Sequence, residues 1–223
     1  MPGMLADPKL AALLERLHGQ SEAQRGEISA YYKRRGEAGE LNWDGLDADA
    51  HGFMADKLVA LDRDKAAFCH ALCLATGARR IVEVGTSHGV STLYLAAAVR
   101  QNGGGVVVGT EHEPTKATIA RAHFAEAGLT DLIELREGDL RQTLKTLTGP
   151  IDFALMDIWT EMARPAIELI APHLRPGAVV CADNTGWRAP YAAYFAFVED
   201  PANGFSTMTL PFEGGFEMTV KVS

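Results

Sequence analysis

Two apolar runs of the chain surface in oxygen-bearing side chains. "IDFALMD" (151–157) ends in Asp157, and "AVVCADN" (178–184) ends in Asp183 and Asn184. Short apolar runs rich in Val, Ile and Phe read as buried strands. A turn or a helix cap accounts for an Asp or Asn at either end taken alone. It does not account for both at one rim. If the runs are neighbouring parallel strands, two carboxylates and an amide oxygen converge, and like charges that close need a proton or a cation between them. With no Cys or His in the set, the donors suit a hard ion such as Mg²⁺, which keeps positions open for water or substrate oxygens. The reading stands only if the three side chains point together and no lysine or arginine fills the gap.

The other strand ends suggest a nucleotide. In "VEVGTSHGVS" (82–91), Gly85 and Gly89 flank a short turn before a helix that Ser91 or Thr92 opens. Such a turn lets backbone approach a ligand closely and sets a helix N-terminus beside it. The spacing is G-x-x-x-G, not the G-x-G-x-x-G of pyrophosphate-binding turns, which disfavours a nicotinamide or flavin dinucleotide. Glu111 closes the next run, where an acid accepts hydrogen bonds from both hydroxyls of a ribose. A surface Glu ahead of the helix at Pro114 is the plain alternative. "REGDL" (136–140) brings Asp139 to the same rim, as a helix N-cap or as a partner for an adenine amino group.

A common rim requires a parallel sheet. The β-rich runs 80–85, 105–111, 132–138, 151–157 and 178–183 alternate with helical stretches such as "VSTLYLAAAVR" and "ARPAIELIAPHL". The alternation predicts an α/β, Rossmann-like, mostly parallel sheet with helices on both faces and ligands at the carboxyl ends of the strands. After Asn184, a helix ("PYAAYFAFVED") and two β-like runs ("FSTMTLPF", "FEMTVKV") predict an antiparallel hairpin at the C-terminal edge. Up to residue 77 the chain reads as helices only: one stopping at Gly19, a second capped by Ser21, and "DRDKAAFCHALCLATG" stopping at Gly77. A single domain over 1–223 is expected, with 1–60 a helical N-terminal extension or lid and 61–223 the core.

Composition narrows the class. The 223 residues suffice for a sizeable core, and 47% hydrophobic content is ordinary for a globular chain. No apolar run spans a bilayer, no secretory signal opens the sequence, and three cysteines make no disulfide framework. A cytoplasmic protein without a membrane partner is expected. The net charge of −8 argues against nucleic acid. Cys69, His70 and Cys73 on one apolar helix read as core rather than as a metal site.

Together these residues resemble the class I S-adenosylmethionine (SAM)-dependent methyltransferases, and within them the metal-dependent catechol and caffeoyl-CoA type of O-methyltransferase. The resemblance runs from about residue 62 to 187. "VEVGTSHGVSTLYLA" is similar to the family's E-x-G-x-x-x-G-x-S glycine loop, "TEHEP" to its second-strand acid and "AGLTDLIELREGD" to its third-strand block. "LMDIW" and "LRPGAVVCADNTGW" are similar to its two metal-binding strand ends. The resemblance implies that Gly85, Thr86, Ser87, Gly89 and Ser91 surround the methionine part of the cofactor, with Glu83 supporting the loop. Glu111 is then the ribose partner, Asp139 the adenine partner, and Trp159 packs near the adenine. Asp157, also at the cofactor, would join Asp183 and Asn184 in holding a divalent cation, Mg²⁺. That ion would bind two vicinal oxygens of a small aromatic diol-like acceptor and ionise its hydroxyl, making Asp157 catalytic through the metal. A homodimer is the family habit.

One position departs from the family. The catechol and caffeoyl-CoA type carries a Lys three residues after its first metal Asp, as general base. Here Thr160 stands there, and a neutral hydroxyl is too weak a base at pH 7. His88, Glu161 or the metal alone remain as substitutes, and the base is unassigned. Trp187 is expected to line a flat acceptor pocket, with Trp43, Tyr191 and Tyr194 as further candidates, although the tyrosines also fit a core. Glu213 falls near where a substrate-orienting acid is found. Two rivals remain: an RNA methyltransferase, disfavoured by the acidic balance despite Lys33, Arg34 and Arg35, and a SAM-binding protein without catalysis, suggested by Thr160.

Overall fold

Most of the β-rich runs form strands because their apolar residues are buried and glycine turns and helix starts bound them; the run at 133–137 is only partly buried. The computed structural model describes residues 7–40 and 48–223. Helices α1 (Pro8–Glu37), α2 (Ala48–Met54) and α3 (Arg63–Ala75) come first. The alternating part follows: β1 (Arg80–Val84), α4 (Val90–Gln101), β2 (Val106–Glu111), α5 (Pro114–Glu126), β3 (Ile133–Glu137), α6 (Leu140–Thr143), β4 (Ile151–Met156), α7 (Thr160–Ile170) and β5 (Leu174–Asp183). Helix α8 (Ala192–Val198) and strands β6 (Phe205–Leu210) and β7 (Phe216–Lys221) close the chain.

The seven strands form one sheet in the order β3-β2-β1-β4-β5-β7-β6. Strands β1 to β5 pair in parallel, while β7 runs antiparallel to β5 and β6 antiparallel to β7. The chain winds outward from β1 to β3, then returns to lay β4 on the other side of β1. That reversal opens a crevice at the carboxyl ends of β1 and β4, where open α/β sheets bind ligands. Val84 lies opposite Met156, and Met156 opposite Ala182, so the residues that follow, Gly85, Asp157 and Asp183, emerge side by side.

Alternate residues of each strand enter separate cores. Ile81, Val107, Phe153, Leu155 and Cys181 pack with α1, α3 and α4, while Val82, Val84, Val108, Ala154 and Val180 pack with α7 and α8. Among the described residues no helix is long and apolar enough to cross a membrane.

The expected break at Gly19 does not occur. Helix α1 runs through it, and Ser21, expected to cap a second helix, lies inside and accepts the Ala60 N–H at 3.1 Å. A helix-interior glycine costs about 1 kcal/mol. Burial of Leu10, Leu13, Leu14 and Leu17 on the same face outweighs it. The helix ends instead near Gly39, whose φ is +71°.

Phe153 sits fully buried at the centre of β4. Phe153→Ala should cost about 3–5 kcal/mol in denaturant unfolding with an unchanged slope. A loss below about 1 kcal/mol would mean that the helices do not pack on this strand.

Candidate active site

A cavity of about 940 Å³ opens at the carboxyl ends of β1, β2, β4 and β5. Gly85, Ser87, Glu111, Asp139 and Asp157 line it from the sheet, and Trp159, Asn184 and Trp187 from the loops beyond. Tyr32 and Arg35 of α1 and His51 and Met54 of α2 close another side.

The turn after β1 is shaped by its neighbour. Gly85 has φ +94°, and a Cβ there would collide with the Asp157 carbonyl, so only glycine lets β1 and β4 end so close together. Ser87 follows with φ +50°, its N–H donating to Glu111 Oε2 at 2.6 Å. The Ser87 Oγ is buried yet has no hydrogen-bond partner, which suits a ligand polar group in the cavity.

Other loop residues lie elsewhere. Glu83 is fully buried beneath the turn and accepts from the hydroxyls of Ser91 at 2.7 Å, Thr86 at 2.9 Å and Thr92. Burial raises its pKa against those three hydrogen bonds. Thr86 and Ser91, expected around the cofactor, are therefore spent on Glu83 and do not line the cavity. Gly89, also expected there, is required by packing: at φ +83° it begins α4, and a Cβ would strike the Phe124 ring of α5.

Glu111 Oε1 accepts the Glu113 N–H at 2.8 Å, so two backbone donors orient this carboxylate with lone pairs left over. Asp139 caps α6 by accepting the Arg141 N–H at 2.8 Å, and the Arg141 guanidinium grips both of its oxygens. That hydrogen-bonded arginine lowers the Asp139 pKa. An adenine amino group at Asp139 has to share an occupied carboxylate.

Asp157 and Asp183 lie close enough to interact, but Asp183 is already paired with a lysine. Lys65, in the first turn of α3, sends its Nζ to Asp183 Oδ1 at 2.5 Å and to the Gly215 carbonyl at 3.4 Å. The pair is buried, with side-chain exposures of 3% and 9%. The same Oδ1 accepts the Asn184 N–H at 2.7 Å. Asn184 takes φ +59° and lines the cavity with Asp157, whereas Asp183 does not. Burial, then the charges of Asp183 and Glu83, raise the Asp157 carboxyl well above the usual range, with Lys65 acting against them. Burial also raises Asp183, opposed by its hydrogen bond to Lys65.

Asp157, Asp183 and Asn184, expected to hold a cation, thus come with a lysine already bonded to Asp183. The donor set is not three oxygens awaiting an ion, because an ammonium already neutralises one carboxylate. A divalent ion does not fit these residues as they stand. Lys65 was missed because it lies 118 residues before Asp183, inside an otherwise unremarkable helix start.

The remaining candidates separate cleanly. Thr160 and Glu161 line the cavity; His88 does not. The His88 side chain is buried with Nε2 unpartnered, and burial, assisted by the charge of Lys116, lowers its pKa to about 4. It is not placed to act on a ligand. Trp187, 62% exposed, and buried Tyr191 both line the cavity, while Tyr194 belongs to the core. Glu213 is exposed in the β6–β7 turn, outside the cavity lining. Trp43 lies outside the described residues. Cys69, Cys73 and Cys181 are buried free thiols.

Comparison with known proteins converges on one chemistry. A family described as a methyltransferase domain matches residues 82–185. A catechol O-methyltransferase of Mycobacterium tuberculosis is 38% identical over 117 residues, 51% of this chain and 52% of that protein. Another, of Niastella koreensis, is 30% identical over 134 residues, covering 56% and 58% respectively. The chain thus spans about half the length of the curated relatives it matches. Among solved structures, an O-methyltransferase from Bacillus cereus in complex with SAH superposes with a TM-score of 0.65 at 27% identity, over 73% of this chain and 82% of that one.

The buried, uncharged His88 makes stability pH-dependent. Its folded pKa is about 4 against 6.5 for the free side chain, so the unfolded chain alone takes up the proton between those values. The stability it confers is present above pH 6.5 and lost as pH falls towards 4, by up to about 3 kcal/mol. The difference in unfolding free energy between wild type and His88→Gln should shrink across that window. A constant difference would mean that the imidazole is not held uncharged.

Proposed function

We propose that this chain, similar over residues 82–185 to a methyltransferase domain and in part to catechol O-methyltransferases, carries out SAM-dependent methyl transfer to a hydroxyl oxygen of a small aromatic acceptor. The observation that carries this reading is the cavity rim, where Gly85, the unpartnered Ser87 Oγ and the backbone-oriented Glu111 face one space with Trp159 and Trp187. SAM, when bound, supplies a methyl group on a positively charged sulfur that leaves as a neutral thioether.

The residues divide the work. Gly85 and Ser87 receive the methionine part, Glu111 accepts from the ribose hydroxyls, and Asp139 lies at the adenine edge. Trp159, 39% exposed, offers a ring face to the adenine, and Trp187 and Tyr191 flank the acceptor. Asp157, between cofactor and acceptor, accepts the hydrogen bond of the acceptor hydroxyl and takes its proton as the new oxygen–carbon bond forms and the carbon–sulfur pair returns to sulfur. In that role it stands in for the lysine absent at Thr160. Chelation of two vicinal oxygens does not enter, so a diol is accepted but not required. Helix α2, carrying His51 and Met54 to the cavity, acts as a lid. The buried free thiols accord with a reducing compartment such as the cytoplasm.

Calorimetric titration should show binding of S-adenosylhomocysteine and none of NAD; the reverse would remove the methyltransferase reading. Asp157→Asn should retain S-adenosylhomocysteine binding and lose about 10²–10⁴-fold in kcat on a phenol and catechol panel. Undiminished turnover would strip Asp157 of the proton-transfer role.

A further inference from the structure

Two acids, Asp157 and Asp183, come together at one end of the cavity, and the second is paired with a cation of the chain's own. Lys65 is no surface residue bending inward. It is 2% exposed, and its Nζ stands 5.7 Å from the centre of the Phe216 ring. The position of a Cβ on Gly214 would be 3.8 Å from both Lys65 Nζ and Asn184 Oδ1, so ammonium and amide face the same stretch of backbone. The start of α3 is clamped from outside, with Arg63 on Glu15 and Glu22 and Asp62 on Arg25. Lys65 therefore enters the site from a fixed base.

We propose that the Lys65 ammonium is the resident cation of this site, paired with the β5 carboxylate beside that of β4 so that methyl transfer proceeds without a bound divalent metal. The proposal rests on the methyltransferase reading above and adds how the charge is balanced. Lys65 acts as a positioning residue. It holds Asp183, whose Oδ1 also receives the Asn184 N–H, and thereby sets the Asn184 side chain at the cavity wall. A divalent ion entering the same space meets a buried positive charge already bonded to one of its prospective ligands. Hard divalent ions need several oxygens free to coordinate, and here the carboxylate of Asp183 is committed.

The test is binding of Mn²⁺ alone, followed by paramagnetic resonance and calorimetry on the full chain with and without S-adenosylhomocysteine. Wild type and charge-retaining Lys65→Arg should bind no Mn²⁺ at this site, and wild-type turnover should be the same before and after exhaustive EDTA treatment. Lys65→Met should gain Mn²⁺ affinity by about tenfold or more, since a neighbouring like charge is removed. One Mn²⁺ per wild-type chain, or turnover lost to EDTA and restored by Mn²⁺, overturns the proposal. If Lys65→Met fails to fold, the wild-type titration still decides. Loss of S-adenosylhomocysteine binding sinks the methyltransferase reading instead, and the Mn²⁺ result on the free chain is read independently of it.

Discussion

Like charges at adjacent strand ends are the constraint around which this site is built. The parallel register that sets Met156 opposite Ala182 also sets Asp157 beside Asp183, and neither carboxylate can move away without breaking the ladder. Burying both without compensation is costly, because desolvation and mutual repulsion act in the same direction. A buried ammonium resolves the conflict. It ties α3 to the end of β5 and, through the Gly215 carbonyl, to the turn joining β6 and β7. The hairpin at the sheet edge is thereby connected to the active end, reinforced by the Gly186 N–H bonded to the Gly214 carbonyl at 2.9 Å.

A second arrangement works on the same logic with neutral partners. Glu83 is also a buried acid, but three hydroxyls satisfy it in place of a cation. This firms the turn between β1 and α4 from below, so that its upper side presents Gly85 and Ser87 to the cavity. Two buried acids are thus compensated by different means: Glu83 by hydrogen bonds alone, and Asp183 by an ion pair.

Much of the architecture was legible before any coordinate. The five parallel strands fall within a few residues of the β-rich runs, because β1, β2, β4 and β5 carry the apolar signature of buried strands and the partly exposed β3 sits between two helical stretches. The terminal hairpin was legible because two β-like runs without an intervening helix can only pair antiparallel. The break at Gly19 was misread. A local helix-stop signal worth about 1 kcal/mol yields to a continuous apolar face that has a core to pack against, and no local pattern reports that core. In the glycine loop, residue types pointed to a ligand for Thr86, Gly89 and Ser91, whereas packing assigns them to Glu83 and Phe124. Small and hydroxylated residues serve a loop's own interior as readily as a ligand.

The sequence by itself determined the layering and the rim at which acids gather, since these follow from periodicity and from residue types at strand ends. The tertiary structure decided what compensates those acids. A lysine in the first turn of a helix carries no mark of its destination. Its partner lies 118 residues away, and only the packing of α3 against the sheet aims the ammonium at Asp183 rather than at solvent. Charge compensation in a buried site is a property of distances in space, which the order of residues along the chain does not contain.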